Sequence, residues 1–91
     1  MEGQAISIQA IINPISGVGS KRKIPKMIET AFAGGNRSVE ISFTEYPGHA
    51  SELTRQALEK GANCVIAVGG DGTVNEIARA MLHSDAVLGI I

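Results

Sequence analysis

The segment best suited to chemistry is Gly69-Gly70-Asp71-Gly72-Thr73, which leaves one apolar run and opens an amphipathic one. Three glycines bracketing a single carboxylate cost chain entropy unless the backbone needs positive φ or must come close to something. Amides at the start of a helix, with the positive end of its dipole, suit an anion, so the segment reads as a phosphate cradle. Asp71 would repel a phosphate directly. Three roles remain open to it: holding a ribose hydroxyl, ordering the glycine loop, or meeting a phosphate through Mg²⁺, which takes carboxylate and phosphate oxygens together. Thr73 and Glu76 have the spacing of a capping box, with Thr73 as N-cap and Glu76 at N3, a purely structural reading of the same pair.

A second loop, Asn13-Pro14-Ile15-Ser16-Gly17-Val18-Gly19-Ser20, offers glycines that let amides approach a ligand and two hydroxyls beside them. As an ordinary turn it would use the same proline and glycines as punctuation. It has neither the Walker A spacing nor the dinucleotide Gly-x-Gly-x-x-Gly pattern, since Gly17-Val18-Gly19 is followed by Ser20, Lys21 and Arg22. Lys21-Arg22-Lys23 precedes a helix, where cations are mildly unfavourable unless an anion sits among them; a solvated loop is the plainer reading. His49 reads as a structural residue at a helix start, His83 as a cation suited to a helix C-terminus, and Cys64 as inert packing.

These loops need a frame, and two alternating residue periods provide it. Ile6, Ile8, Ala10, Ile11 and Ile12 predict a strand that Asn13-Pro14 stops. Ile24, Met27, Ile28, Ala31 and Phe32 form a helical stripe that ends at Gly34-Gly35-Asn36, with Pro25 in the first turn. Val39, Ile41 and Phe43 alternate with polar residues, as in a strand near a sheet edge, and Tyr46-Pro47-Gly48 breaks it. Ala50, Leu53, Thr54, Ala57 and Leu58 mark a second helix up to Gly61. Cys64 to Val68 is apolar on both faces, as in a central parallel strand; Val74, Ile77, Ala78, Met81 and Leu82 mark a third helix, and Ala86 to Ile91 a last strand. The order βαβαβαβ specifies an α/β fold, a three-layer Rossmann-like parallel sheet with right-handed crossovers. If the loops after the first and third strands meet one ligand, those strands are neighbours, which favours order 2-1-3-4 over 3-2-1-4.

Ninety-one residues suffice for one core and one domain, spanning 1–91. With 44% hydrophobic residues, 19% charged and net charge −1, the chain is globular and lacks the field for nucleic-acid binding. One cysteine excludes an internal disulfide or a Cys-rich zinc site and fits a reducing, cytoplasmic setting. The polar Met1 to Gln4, and the interruption of the first apolar run by Ser7 and Gln9, give no secretory signal or membrane span, so membrane contact would be peripheral. A hydrophobic strand finishing at Ile91 suggests a chain cut from a longer one at or near that residue. Its uncovered margin is expected to self-associate.

Asn13-Pro14-x-Ser16-Gly17, then Thr44 with Gly48-His49-Ala50, then Gly69-Gly70-Asp71-Gly72-Thr73-Val74-Asn75-Glu76, taken in order, resemble the nucleotide-binding half of the diacylglycerol kinase catalytic domain family, in the manner of its bacterial lipid kinases. The resemblance covers essentially the whole chain. The glycine element alone is shared with NAD kinases and phosphofructokinases; the Asn-Pro-x-Ser-Gly loop tips the choice to lipid kinases. The resemblance implies ATP contacts at Asn13, Pro14, Ser16, Gly17, Thr44, Gly69, Gly70, Asp71, Gly72, Thr73 and Asn75, with Asp71 the one candidate to meet phosphate-bound Mg²⁺. It implies a two-domain parent whose β-rich second domain carries the metal-linked acidic residues, the general base and the pocket for a lipid such as diacylglycerol. The activity implied is ATP-dependent phosphorylation of a lipid hydroxyl in phospholipid metabolism, in the cytoplasm at the inner membrane surface, with the 91-residue chain inactive alone. An NAD kinase-like enzyme and a non-catalytic nucleotide-binding fragment stand as the alternatives.

Overall fold

The computed structural model describes residues 5–14 and 23–91. The elements run β1 (Ile6–Ile12), α1 (Lys23–Ala31), β2 (Arg37–Phe43), α2 (His49–Glu59), β3 (Cys64–Val68), α3 (Asp71–Ala80) and β4 (Val87–Ile90). All strand pairs are parallel and the sheet order is β2-β1-β3-β4, the arrangement favoured by the demand that the first and third loops meet. Pairing continues past the strand ends: Asn13 N–H donates to Val68 C=O at 2.9 Å and Thr44 N–H to Ile12 C=O at 2.8 Å. The chain therefore leaves β1, β2 and β3 at one level of the sheet.

Strand alternation divides the core between the two faces. Ile8, Ala10, Ile12, Ile66 and Val68 pack with Ile24 and Ile28 of α1, while Ile11, Val65 and Ala67 pack with Ala50, Ile77 and Met81 of the α2–α3 side. β3 is thus apolar on each face, as the Cys64 to Val68 run required, and β1 is so from Ala10 to Ile12. The same face of β1 that carries Ile11 also carries Gln9, whose amide nitrogen donates to Ser42 Oγ at 3.0 Å across to β2.

The stripe expected on α1 is narrower in the structure. Ile24 and Ile28 are buried and Phe32 packs beside them, but Met27 is 58% exposed and Ala31 is exposed. At roughly 3.6 residues per turn, Met27 stands about 100° from the centre of the Ile24–Ile28–Phe32 line, too far round to reach the sheet. Leu82 is likewise exposed, because α3 ends at Ala80 and the chain turns away through His83, at φ 70. β2 lies at one edge as expected; β4 forms the other, with Val87 and Ile90 exposed.

Candidate functional site

The helix after β3 begins earlier than the capping-box spacing indicates. Gly70 is its N-cap, in extended backbone, Asp71 its first residue, and among the described residues no side chain caps it. Val74 is the first amide to reach back, to Gly70 C=O at 3.1 Å. The amides of Asp71, Gly72 and Thr73 thus precede the helical ladder. The capping box of Thr73 and Glu76 is therefore not formed. Thr73 sits in the third helical position, buried, and its hydroxyl oxygen accepts the Asn13 side-chain N–H at 3.1 Å. A residue at the end of β1 has claimed the group that local spacing assigned to the cap.

The glycines also act differently from one reason offered for them. None of Gly69, Gly70 and Gly72 has positive φ; among the described residues the left-handed glycines are Gly34, Gly35, Gly48 and Gly61. What the loop needs is room. A Cβ on Gly69 would stand 2.9 Å from both Cβ and Oγ1 of Thr73 and 3.2 Å from Asn13 Cβ, so Gly69 lets the β1 end and the α3 start close on each other. Among the described residues a Cβ on Gly70 or Gly72 would meet nothing within 4 Å. Those two positions leave the uncapped amides open from outside.

Beside this helix start lies a cleft of about 350 Å³, within the ~300–1,000 Å³ range of small-molecule sites. Asn13, Pro14, Thr44, Gly72 and Thr73, all candidates from the sequence, line it together. Gly69 lies behind Thr73, and Gly70 and Asp71 are exposed at the helix start without lining the cleft. Asn75 is exposed on α3 and is not part of the wall. Ser16 and Gly17, with the cations Lys21 and Arg22, fall outside the described residues.

Sequence reasoning missed another stretch of the wall, Glu45, Tyr46 and Pro47; Ala50 and Glu76, quoted in the motifs but given no ligand contact, line it too. The turn from β2 to α2 is closed by His49, whose Nδ1 accepts the Glu45 N–H at 3.0 Å and whose ring stacks on Tyr46 with centroids 4.3 Å apart. Tyr46 Oη donates to Glu52 at 2.8 Å, and that bond to a carboxylate is the main reason its phenol is held above the ordinary tyrosine range. His49 is thus structural, as expected. The available signal was an aromatic ring and an imidazole three residues apart around Gly48, a left-handed glycine at φ 88. Burial pushes the Cys64 thiol up, in keeping with a packing role. Among the described residues no three His, Cys, Asp or Glu side chains converge as a metal site. No helix among them is long and apolar enough to cross a membrane.

The chain matches the family model described as diacylglycerol kinase catalytic domain over residues 7–91. It is similar to sphingoid long chain base kinase 5 of Saccharomyces cerevisiae, 30% identical, across 82% of this chain and 11% of that protein. It is also similar to a Serratia proteamaculans protein named "Probable lipid kinase YegS-like", 31% identical, across 85% of this chain and 27% of that one. The chain thus spans about a tenth to a quarter of the length of these relatives. A solved diacylglycerol kinase structure from Bacillus anthracis superposes with TM-score 0.77 at 23% identity, over 99% of this chain and 34% of that one, a likeness of fold.

Proposed function

This chain belongs to the diacylglycerol kinase catalytic domain family, and on that footing we propose that it holds the phosphates of ATP for transfer to a lipid hydroxyl. The observation that carries the reading is the start of α3: amides without a capping side chain, with open space at Gly70 and Gly72, at the lip of a cleft. A helix N-terminus of this kind supplies aligned N–H donors and a positive dipole end. A phosphate fits there, because among the described residues the loop lacks an acceptor and offers space.

The remaining residues support that placement. Thr73 fixes Asn13 by its hydroxyl, so the β1 end and the α3 start form one rigid wall. Thr44 enters the same cleft from β2. Glu45 and Glu76 suit hydroxyls or metal-bound water better than a bare phosphate. Asp71, exposed at the first position of α3, is the group to meet Mg²⁺ carried by the phosphates. ATP supplies the transferable phosphoryl group, and Mg²⁺ neutralises charge as it leaves. Ser16 and Gly17 belong to the proposal through the family's Asn-Pro-x-Ser-Gly loop.

We place the acceptor pocket and the general base outside these 91 residues, in keeping with the small share of each relative that the chain spans. The names of the relatives favour a lipid over a dinucleotide as acceptor. The reading extends to peripheral action at the cytoplasmic membrane surface, and the exposed β4 margin to self-association. Calorimetric titration of the chain with Mg·ATP, followed by incubation with radiolabelled ATP and diacylglycerol-containing vesicles, tests it. Saturable binding without labelled lipid is expected. Absence of saturable binding would remove the nucleotide role, and labelled lipid would overturn the placement of the acceptor site.

A further inference from the structure

The cleft has a wall that phosphate binding does not use. Tyr46 lines it while 50% exposed, on the β2 side. Its ring is held on three counts: parallel stacking on His49 at an interplanar angle of 14°, donation of its hydroxyl to Glu52, and a turn closed from Glu45 N–H to His49 Nδ1 and from His49 N–H to Tyr46 C=O. One face is covered by imidazole and the hydroxyl proton is committed. What Tyr46 presents to the cleft is therefore apolar π surface and not a hydrogen-bond donor. Pro14, Pro47 and Ala50 add apolar surface to the same cleft.

Sheet order sets the spacing between this wall and the phosphate cradle. β1 separates β2 from β3, so the Tyr46 turn and the α3 amides follow strands that lie two strand spacings apart, roughly 10 Å. A ligand with anionic groups at one end and a flat aromatic system at the other matches the two walls. Resting on the nucleotide reading above, we propose that Tyr46 is the stacking wall for the nucleobase and positions ATP so that its phosphates meet the α3 amides. The ring costs little to use, since its rotamer is fixed before ligand arrives.

Tyr46 is the single tyrosine and the chain has no tryptophan, so its emission reports on this position alone. The test uses the 91-residue chain with Mg·ATP and with Mg·tripolyphosphate, which carries phosphates but no base. In the wild type, ATP binds more tightly than tripolyphosphate and quenches tyrosine emission after correction for nucleotide absorbance, whereas tripolyphosphate leaves emission unchanged. Tyr46→Ala weakens ATP about 3- to 10-fold and leaves tripolyphosphate affinity unaltered; Tyr46→Phe retains the ATP affinity. Equal affinity of the wild type for the two probes, or emission unmoved by saturating ATP, overturns the stacking wall while the phosphate cradle stands. Failure of both probes to bind the wild type overturns the nucleotide reading and the stacking wall with it. The emission measurement is made on the wild type, so the outcome does not depend on the folding of a variant.

Discussion

Two glycines of one loop, Gly69 and Gly72, should respond to the same substitution in opposite ways. Alanine at position 69 would bring its Cβ to 2.9 Å from Thr73 Cβ and Oγ1 and 3.2 Å from Asn13 Cβ. Carbon atoms prefer about 3.5–4.0 Å, so the overlap exceeds half an ångström. Two of the three opposing atoms are Cβ atoms, which move only with their backbone. Overpacking of this kind costs about 1–3 kcal/mol, and relief by spreading β1 from α3 would lengthen the Asn13–Thr73 hydrogen bond. Alanine at position 72 meets nothing within 4 Å among the described residues and stands in the first turn of α3. It should be neutral or stabilising by up to about 1 kcal/mol through helix propensity. Urea unfolding of Gly69→Ala and Gly72→Ala, followed by circular dichroism, measures the difference. Thermal midpoints should separate by roughly 4–8 °C for each kcal/mol in a domain of this size. Equal stability of the two variants would refute the packing account of Gly69.

Three further outcomes follow from the same geometry. Gly70→Ser supplies the missing N-cap acceptor, so the variant should gain a few tenths of a kcal/mol in stability yet bind Mg·ATP more weakly, because its hydroxyl competes for the amides; calorimetry and urea unfolding together check the opposed signs. Gly61 ends α2 at φ 92, and Gly61→Ala should cost about 1–2 kcal/mol although nothing opposes its Cβ. The Tyr46 phenol, raised chiefly by its bond to Glu52, should ionise above the ordinary tyrosine range. Its folded value lies above the unfolded one, so its contribution is present below the ordinary range and fades as pH rises through the folded value; ultraviolet titration of Glu52→Gln should bring the midpoint down.

The frame was legible because period and burial coincide: Cys64 to Val68 had to be covered on both faces, and the demand that two loops share a ligand predicted β1 beside β3. Asn13, Gly72 and Thr73 were legible as cleft residues because they lie in the loops that leave β1 and β3 and open α3, whereas Thr44 was legible only through the family resemblance. The capping-box alternative for Thr73 and Glu76 fails because it rests on local spacing, whereas Thr73 bonds to Asn13, sixty residues away. Positive φ was the wrong reason for the Gly69–Gly72 glycines, since the constraint at Gly69 is a neighbour that the local sequence does not reveal. Met27 fell on the expected apolar stripe, but α1 reaches the sheet only along the line of Ile24, Ile28 and Phe32. Tyr46 read as a strand breaker because its role depends on a turn that His49 closes.

The central claim is that the uncapped amides of α3 receive the phosphates of ATP. Amide NMR of the isotopically labelled chain, titrated with Mg·ATP, measures those groups one by one. Saturable shifts should be largest at Asp71, Gly72 and Thr73, accompanied by Asn13 and Thr44 and shared by tripolyphosphate at the α3 amides. Saturable shifts confined to α1 or β4, with Asp71 to Thr73 unmoved, would contradict it.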